Sequence, residues 1–480
     1  MATHENLFLA AEERSALWRQ TGDAIDAYIE GVRELPVSTT VEVERIKALL
    51  ATFDFDEPMP PARALELAVS GLTHFQIHAP HPGYFGLFVP APATMSIAAD
   101  ALTAAFNPQL ASWGHSPFAV EAEAYLLRAM GERLGFAENA SGTFTSGGAE
   151  ANLTALLCAI YSRYPEARET GVAAVGRLRI YAADGAHDSI IRAARVCGIG
   201  DAAVHRIPTD PRLAMSASAL SDAIAHDRHS GATPVMVVAT AGATASGVID
   251  DLDTIAEIAA AESTWFHIDG AWGAAAAIAP EAHCFFRGIA RADSLTLDAH
   301  KWLATPLGAG MLFTRNRGAL ASAFHVDTPY MPRGALKQAI EPYQNSLQWS
   351  RRFAGLRLLL CLAVAGWDGY ANAIRRQLAL GQYLRTNLSD TGWQLLNDTP
   401  LPLACFSDQL DMGADDQVRL GAIAARVQAS GKAWLNVVQL SNGRWALRAC
   451  ISNMTTAQVD VDLLIEALAT ASQPPSIHRE

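Results

Sequence analysis

Lys301 lies between two apolar segments, in the sequence SLTLDAHKWL at residues 294–303. Polar and apolar residues alternate ahead of it, which is typical of a short strand. An ammonium group is costly to bury unless it is paired or neutralised, and a neutral amine is a nucleophile that forms a Schiff base with a carbonyl. The simpler alternative is a strand-end lysine with its head in water, because most lysines are exposed.

A second strand-like segment, TWFHIDGAWG at residues 264–273, carries Asp269 to its end. An acid and a lysine that each close a strand suit pyridoxal 5′-phosphate. The lysine can hold the aldehyde, while the acid pairs with the protonated pyridine nitrogen and makes the ring an electron sink. Together the two segments predict a site for this cofactor and make the water-exposed alternative for Lys301 less favourable.

A glycine-rich segment, GTFTSGGAEAN at residues 142–152, provides a candidate phosphate site. Small residues allow a phosphate to approach the backbone, and free N–H groups at a helix N-terminus bind it. A lone Gly-Gly pair before a helix is also consistent with a plain turn. In combination with Asp269 and Lys301, it predicts that Gly147, Gly148 and Ala149 bind the cofactor phosphate.

The segments HIDGAW (267–272) and DAHKW (298–302) resemble the group II pyridoxal-phosphate-dependent decarboxylases. These include the aromatic-L-amino-acid, glutamate, histidine and diaminobutyrate decarboxylases, and the resemblance extends from about residue 30 to about residue 468. It implies an α/β fold-type-I enzyme with a mostly parallel seven-stranded sheet and helices on both faces. The implied divisions are an N-terminal helical dimerisation arm (1–76), a large cofactor-binding domain (77–366) and a small α+β C-terminal domain (367–480).

The resemblance also implies roles for residues around the cofactor ring. His187, in DGAHDS at 184–189, would stack on one face of the ring, and the methyl group of Ala271 would pack on the opposite face. Thr244 would lie near the ring hydroxyl, and His300 would contact the cofactor beside Lys301. His187 is also expected to take part in catalysis.

Two positions depart from the family pattern. Ala149 and Ala243 stand where the family usually has hydroxyl residues. The first change removes one side-chain donor from the phosphate cup but leaves the backbone donors, so we expect looser cofactor binding at most. The second puts the contact between this loop and the ring hydroxyl in doubt.

Aromatic residues in two loops predict the substrate pocket. Tyr84 and Phe85 lie in the HPGYFG loop at 81–86, with Phe88 close behind, and Trp113 lies in a loop that in the family reaches the partner subunit's pocket. Such a pocket suits an aromatic or long apolar side chain. No arginine is obviously dedicated to a distal carboxylate, which disfavours glutamate and aspartate, whereas diaminobutyrate stays open.

The segment 317–342 is rich in Pro, Gly and Asp, as lids often are. In the family, a tyrosine on a mobile loop ahead of an Arg-Arg-Phe sequence returns a proton to the substrate carbon after CO2 leaves. Tyr343 is the matching residue here, with a one-residue gap, and Tyr330 is its rival. Phenylalanine at this place goes with an aldehyde product, so Tyr343 favours the amine.

Composition excludes several other classes of protein. The chain has 480 residues and a net charge of −13, and such an acidic surface argues against nucleic acid as a partner. We expect neither a signal peptide nor a membrane anchor, because no long apolar stretch is present. Six cysteines without a Cys-x-x-Cys pair predict reduced core thiols in a cytoplasmic protein, and no metal site.

The pattern of elements must bring these residues together. Strands alternating with helices from residue 178 onward predict a mostly parallel sheet, whose ligands bind at the carboxyl ends of the strands. The predicted strands are 179–183, 203–207, 234–241, 265–269 and 294–297, with helices at 188–196, 218–227 and 252–261. Two N-terminal helices at 7–35 and 43–53 form the arm, and the active sites are expected at a homodimer interface. The predicted C-terminal elements are helices at 367–388, 413–428 and 456–471 and strands at 393–396, 403–407, 434–439 and 445–451.

We therefore expect an L-amino acid decarboxylase that releases CO2 and an amine, with an aromatic amino acid as substrate and Lys301, His187 and Tyr343 as catalytic residues. A diaminobutyrate-type decarboxylase and an aldehyde synthase, which decarboxylates oxidatively, are the enzymatic alternatives. A scaffold without catalysis is the alternative from another class. The presence of Asp269 together with the catalytic lysine and histidine opposes it, because a scaffold has no need of all three.

Overall fold

The computed structural model describes residues 7–138, 140–331, 340–408 and 416–473. The strands are β1 Ser141–Thr145, β2 Leu178–Ala183, β3 Val204–Ile207, β4 Thr233–Thr240, β5 Trp265–Asp269, β6 Ser294–Asp298, β7 Gly310–Thr314, β8 Gln394–Leu395, β9 Leu403–Ser407, β10 Asn436–Gln439 and β11 Trp445–Cys450. The helices are α1 Ala11–Gly31, α2 Val43–Leu50, α3 Pro61–His74, α4 Thr94–Phe106, α5 Pro117–Arg133, α6 Gly148–Arg163, α7 Ala167–Thr170, α8 Ser189–Val196, α9 Ala217–His229, α10 Leu252–Ala261, α11 Ala299–Trp302, α12 Ala319–Phe324, α13 Gly355–Asp390, α14 Asp416–Ala429 and α15 Gln458–Ser472.

In the described part of the chain, the main sheet has seven strands in the order β1-β7-β6-β5-β4-β2-β3. Neighbouring strands from β3 to β6 are parallel, whereas β7 is antiparallel to both of its neighbours. The predicted α/β fold with a mostly parallel sheet is confirmed. Asp269 pairs in register with Thr240 of β4 and Thr296 of β6, so polar residues from three strands meet at one edge.

Helices cover both faces of this sheet, because its central strands are apolar on both sides. In β4, Val237 and Ala239 pack into one hydrophobic core, and Met236 and Val238 pack into another. Successive residues of a strand point to opposite faces, so a strand buried on both faces reads as a continuous apolar run. The predicted parallel strands follow from this pattern, with bounds shifted by one residue or less.

The N-terminal region contains α1, α2 and α3, and α1 has no buried residue in the single chain. Arg33 follows α1 and forms an ion pair with Asp460 of α15, with 2.6 Å between Nη1 and Oδ1. Tyr28 Oη lies 3.0 Å from Nδ1 of His78. The predicted arm therefore contacts the rest of its own chain at a few polar points, while much of its apolar surface is uncovered.

The C-terminal strands form a second sheet, with the order β10-β11-β9-β8, which α14 and α15 help to cover with a core of their own. The long helix α13 leads into it and is kinked at Gly366, where φ is +63°. This kink falls at the boundary predicted between the large and small domains. The division at residues 76 and 366 itself stays a prediction.

Several predicted bounds need correction. The helix predicted at 367–388 begins earlier, at Gly355, directly after a segment in which Arg351 bridges to Leu110 and forms an ion pair with the buried Glu123. Helices α3 and α4 were not predicted. Residues 332–339 of the predicted lid, 413–415 of a predicted helix and the tail from 474 lie outside the described residues.

Among the described residues, no helix has the length and apolar character needed to span a bilayer. All six cysteines lie in the described ranges, and none of them forms a disulfide. Four are buried, Cys197 is half-buried and Cys284 is exposed.

Candidate active site

A cavity opens where β4, β5 and β6 end, which is where ligands bind in parallel α/β sheets. Seven residues predicted from the sequence line it: Gly148, Ala149, His187, Thr244, Asp269, Ala271 and Lys301. Five further residues that were not assigned to the site also line it: Asn152, Ser189, Thr240, Gly242 and Trp272. The sheet therefore brings together residues that are far apart in the chain.

Asp269 ends β5 and is buried, with 7% of its surface exposed. Its Oδ2 accepts a hydrogen bond from Asn152 Nδ2 at 2.9 Å, and its Oδ1 accepts one from the Ala271 N–H at 3.1 Å. Two donors stabilise the ionised carboxylate. Each oxygen keeps capacity for a further donor, so Asp269 can accept a proton-bearing nitrogen from the cavity.

Lys301 lies on α11, directly after β6. Ala299 and Trp302 on the same short helix are fully buried, and they hold its backbone in place while the Lys301 side chain stays 22% exposed. Its Nζ lies 3.1 Å from Asp298 Oδ2. The predicted lysine is therefore neither deeply buried nor free in water, because it is paired with a buried carboxylate at the cavity wall.

The end of the cavity beside α6 contains the predicted phosphate loop. The Gly148 N–H donates to Asp298 Oδ2 at 3.0 Å, and a Cβ on Gly148 would come within 2.9 Å of that oxygen and 3.1 Å of Ala271 Cβ. Only glycine fits this close approach. Asp298 is fully buried, and no partner for its Oδ1 is found within the described ranges.

His300 lies below this loop rather than in the cavity lining. Its Nδ1 accepts a hydrogen bond from the Ala309 N–H at 3.2 Å, so its Nε2 carries the proton and faces Asp298 Oδ2 at 3.7 Å. A Cβ placed on Gly147 would lie 3.4 Å from the His300 ring. Burial lowers the pKa of His300, which favours the neutral ring. His300 thus packs against Gly147 and supports the predicted phosphate loop without lining the cavity.

His187, Thr244 and Ala271 surround the rest of the cavity. His187 is exposed, and its Nδ1 accepts a hydrogen bond from the Ser189 N–H at 3.1 Å, which fixes the ring at the start of α8. Thr244 follows a turn at Gly242, where φ is +102° and a Cβ would lie 2.9 Å from the Gly273 backbone. Glycine is needed at this turn for both reasons.

An aromatic wall, formed by the rings of Phe88, Trp272 and Trp302, lies beside Lys301. The Phe88 ring stacks on Trp272 with 4.5 Å between centroids, and Trp272 stacks on Trp302 at 5.6 Å. Lys301 Nζ lies 5.9 Å from the Phe88 centroid, and the guanidinium of the buried Arg448 lies over the same ring at 4.8 Å. Two cationic groups thus lie within cation–π distance of the Phe88 ring.

Four predicted residues lie away from this cavity in the single chain. Phe85 is fully buried in the core of the C-terminal sheet. Tyr84 is stacked on Trp434 at 5.1 Å. The Trp113 indole donates to Glu121 Oε1 at 2.8 Å, and Tyr343 is buried with its ring 5.0 Å from Trp349.

Asn152 and Asp298 were not predicted as functional residues from the sequence. Asn152 lies one helical turn after Gly148, and residues four apart share a face of a helix, so their spacing was an available signal. Asp298 ends β6 just as Asp269 ends β5, which was a second signal. Ser189 and Gly242 carried no comparable pattern.

The conserved-domain profile of the pyridoxal-dependent decarboxylases matches residues 65–409. The chain belongs to the pyridoxal-dependent decarboxylase family. It is therefore an amino acid decarboxylase that depends on pyridoxal phosphate, as the resemblance to the group II enzymes implied.

Curated members of the family match most of the chain. An aromatic-L-amino-acid decarboxylase from Bacillus atrophaeus is 29% identical over 478 residues, which cover 98% of each chain. An L-2,4-diaminobutyrate decarboxylase from Rhizobium meliloti is 31% identical over 366 residues, or 75% of this chain and 72% of that one. A crystal structure of Oryza sativa TDC with PLP and tryptamine has the same fold, with a TM-score of 0.91 at 24% identity over 98% of this chain and 99% of that one.

The residues at the decarboxylase cavity fit the cofactor. Asp269 has acceptor capacity left for the pyridine nitrogen, Lys301 presents an amine for the aldehyde, and Gly148 and Ala149 line the same cavity at the N-terminus of α6. The buried Oγ1 of Thr240 has no partner in the described part of the chain, so it is available to a bound group. These donors and acceptors are the ones that pyridoxal phosphate requires.

Proposed function

We propose that this decarboxylase removes CO2 from an aromatic L-amino acid and releases the amine. The observation that carries the proposal is the aromatic wall beside Lys301, in which Phe88 lies 5.9 Å from Nζ and stacks on Trp272. Trp272 is the member of this wall that lines the cavity, and an offset or edge contact with its ring favours an aromatic side chain. The Bacillus atrophaeus relative is named for the same class of substrate.

Pyridoxal phosphate supplies an aldehyde and an electron-accepting ring when it is bound. In our proposal, Lys301 Nζ holds the aldehyde, Asp269 keeps the pyridine nitrogen protonated and His187 stacks on the ring. Ala271 packs on the other face, and Thr244 lies near the ring hydroxyl. The phosphate is held by the backbone at Gly147, Gly148 and Ala149, with His300 in support.

We propose Tyr343 Oη as the donor of the proton that replaces CO2 on the substrate carbon. Tyr343 is buried, and its Oη accepts a hydrogen bond from Gln344 Nε2 at 2.9 Å, so this role requires its segment to move toward the cavity. Tyr330, which is 72% exposed, remains the rival. In the same proposal, Trp113 and Tyr84 contribute to a substrate pocket that includes the partner subunit.

Diaminobutyrate is the second candidate substrate. It is favoured by the relative from Rhizobium meliloti, which is 31% identical and is named for this reaction. The acidic chain, with a net charge of −13, is compatible with a substrate that carries a second amine. An aldehyde product is the third possibility, and it would require a role other than proton donation for Tyr343.

We further propose a cytoplasmic homodimer with its active sites at the subunit interface. The uncovered apolar faces of α1 and α3 support the dimer, since Ile25, Ile29 and Leu72 are each more than a third exposed in the single chain. Six cysteines without a disulfide support a reducing compartment.

The test is to offer cofactor-loaded protein a panel of L-amino acids that includes tryptophan, tyrosine, phenylalanine, glutamate and 2,4-diaminobutyrate. CO2, amine, aldehyde and peroxide are measured together, with Lys301→Ala as the control. We expect amine and CO2 in equal amounts from an aromatic substrate, no peroxide, and loss of turnover in the variant. Turnover of diaminobutyrate alone would replace the substrate, and aldehyde with peroxide would overturn both the product and the role of Tyr343.

A further inference from the structure

A buried chain of hydrogen bonds lies behind Asp269. His267 precedes it by two residues on β5 and is fully buried, with Nδ1 2.8 Å from Ser294 Oγ and Nε2 3.0 Å from Asn152 Oδ1. Asn152 is also buried, and its Nδ2 reaches Asp269. The chain therefore runs from β6 through β5 to helix α6 and back to the acid at the cavity.

The amide of Asn152 has all four of its hydrogen-bonding positions filled. Its Nδ2 donates to Asp269 Oδ2 at 2.9 Å and to Ser189 Oγ at 2.8 Å. Its Oδ1 accepts from Thr296 Oγ1 at 2.8 Å and faces His267 Nε2. An amide flip would turn Oδ1 toward the carboxylate of Asp269, where two acceptors would repel each other. The orientation of Asn152 is thus fixed.

This orientation sets the direction of every bond in the chain. Because Asn152 Oδ1 is an acceptor, His267 Nε2 must carry the proton, and Nδ1 then accepts from the Ser294 hydroxyl. The Ser294 Oγ in turn accepts from the Trp265 indole N–H at 2.8 Å. All donors point toward Asp269, so the last of them, Asn152 Nδ2, fixes the position of its carboxylate.

Neutral His267 keeps this direction stable. Burial lowers the pKa of His267 to about 4, although Asp269 and Ser294 act in the opposite sense. Protonation would put a donor on Nδ1, which would compete with the Ser294 hydroxyl for the bond. The arrangement is therefore unchanged at pH values well above about 4.

We propose that Asn152 and His267 are positioning residues that act through Asp269, by fixing its carboxylate toward the pyridine nitrogen of the cofactor. The inference rests on the role proposed above for Asp269. It extends the site one layer behind the cavity, to His267, which cannot touch a bound cofactor. Its consequence is that both residues control how tightly the ring nitrogen is retained, independently of the phosphate end.

The test compares two ligands that differ only at the ring nitrogen. Pyridoxal phosphate and 1-deazapyridoxal phosphate, in which C–H replaces that nitrogen, are titrated into the apo form of the full chain, and tryptophan fluorescence gives each dissociation constant. In Asn152→Asp, two carboxylates at this separation cannot both stay ionised. We expect pyridoxal phosphate to bind at least about tenfold more weakly and the deaza ligand to bind within about twofold of wild type.

Two His267 variants form a matched pair. His267→Gln places an amide N–H toward Asn152 Oδ1, whereas His267→Leu removes the donor. We expect His267→Gln to bind pyridoxal phosphate within about twofold of wild type and His267→Leu to bind it about threefold to tenfold more weakly, the range for one lost hydrogen bond. Melting of the apo proteins checks the fold. If Asn152→Asp does not fold, the His267 pair decides the question.

Asp269→Asn separates this inference from the proposed function. If Asp269→Asn weakens the binding of both ligands equally, the proposed role of Asp269 is wrong and the inference fails with that role. If Asp269→Asn discriminates between the ligands while Asn152→Asp and His267→Leu do not, the role of Asp269 stands and the positioning chain is overturned. Discrimination by all three variants, with recovery in His267→Gln, supports both.

Discussion

Two buried carboxylates border the cavity, and different groups stabilise them. Asp269 accepts from a side-chain amide and a backbone N–H. Asp298 accepts from the Gly148 N–H and pairs with Lys301. The Gly148 amide is one of the donors proposed for the cofactor phosphate, so Asp298 occupies an anion-binding position. A carboxylate and a phosphate this close would repel each other.

Asp298→Asn should therefore strengthen cofactor binding. Asparagine is nearly isosteric, its Oδ1 can still accept from Gly148, and its Nδ2 can donate to a phosphate oxygen. Removing one like charge at this range should lower the dissociation constant for pyridoxal phosphate by at least about tenfold. Fluorescence titration of the apo protein measures this constant, and inorganic phosphate serves as a second ligand without a ring.

Asp253→Asn is a suitable control, because Asp253 pairs with Arg291 on the surface at 2.9 Å, outside the cavity lining. It should leave both dissociation constants unchanged. Weaker binding of either ligand by Asp298→Asn would mean that the carboxyl group assists the phosphate, and the proposed competition would then be wrong.

At the residue scale, the sequence was informative where chemistry imposes spacing. Asp269 ends a strand, Lys301 lies just after the end of another and Gly148 begins a helix, and the parallel sheet brings such ends together. Phe85 lies away from the cavity in the single chain, and aromatic residues in a loop carry no such constraint. Its burial depends on the C-terminal sheet, where Phe85 N–H donates to Trp434 O at 2.8 Å, and the sequence gives no sign of that partner.

At the scale of elements, the strands that are buried on both faces could be predicted from the sequence, whereas helices α3 and α4 could not. The prolines at 58, 60 and 61 are typical of a break in the chain, yet Pro61 is the first residue of α3. Proline is favoured at that position, since its missing N–H would have no partner within the helix. Helix α4 likewise begins shortly after prolines at 90 and 92. Prolines that indicate the end of one element therefore also stand just before the next helix.

The junction of β5, β6 and α6 should make stability depend on pH. Burial lowers the pKa of His267 from 6.5 to about 4, so the unfolded chain binds a proton in this range that the folded chain excludes. The neutral, buried His267 therefore does not reduce the free energy of unfolding above pH 6.5. That free energy decreases as the pH falls from 6.5 toward 4. Between pH 7 and pH 5, the loss should be about 2 kcal/mol.

Urea unfolding of the apo protein at pH 7, 6 and 5 measures this loss, and His267→Gln is the matched control because glutamine does not titrate. Burial also lowers the pKa values of His78, His81 and His300, and their effects cancel when the two proteins are compared. Parallel pH dependence in wild type and variant would show that His267 does not contribute.

At the scale of the whole molecule, the single chain leaves an apolar groove between α1 and α3 uncovered. Ile25 and Ile29 of α1 line it together with Val69 and Leu72 of α3. A large apolar groove that is open to solvent is unusual on the surface of a monomeric protein. We propose that a second copy of the chain covers it. The sequence predicted the arm, but its amphipathic pattern could not say which surface covers it.

Ile25→Asp with Ile29→Asp should therefore convert a dimer into monomers. In a two-fold interface each residue is buried twice, so the lost burial would weaken association by at least about 3 to 6 kcal/mol, before the cost of burying the new carboxylates. Sedimentation velocity at micromolar concentrations measures the oligomeric state. Val418→Asp is the control, because Val418 is 74% exposed on α14 and outside the groove, and it should remain dimeric. If the wild-type protein is a monomer, or if the double variant is still a dimer, this groove is not the interface. The face of α1 would then lack the partner proposed for it.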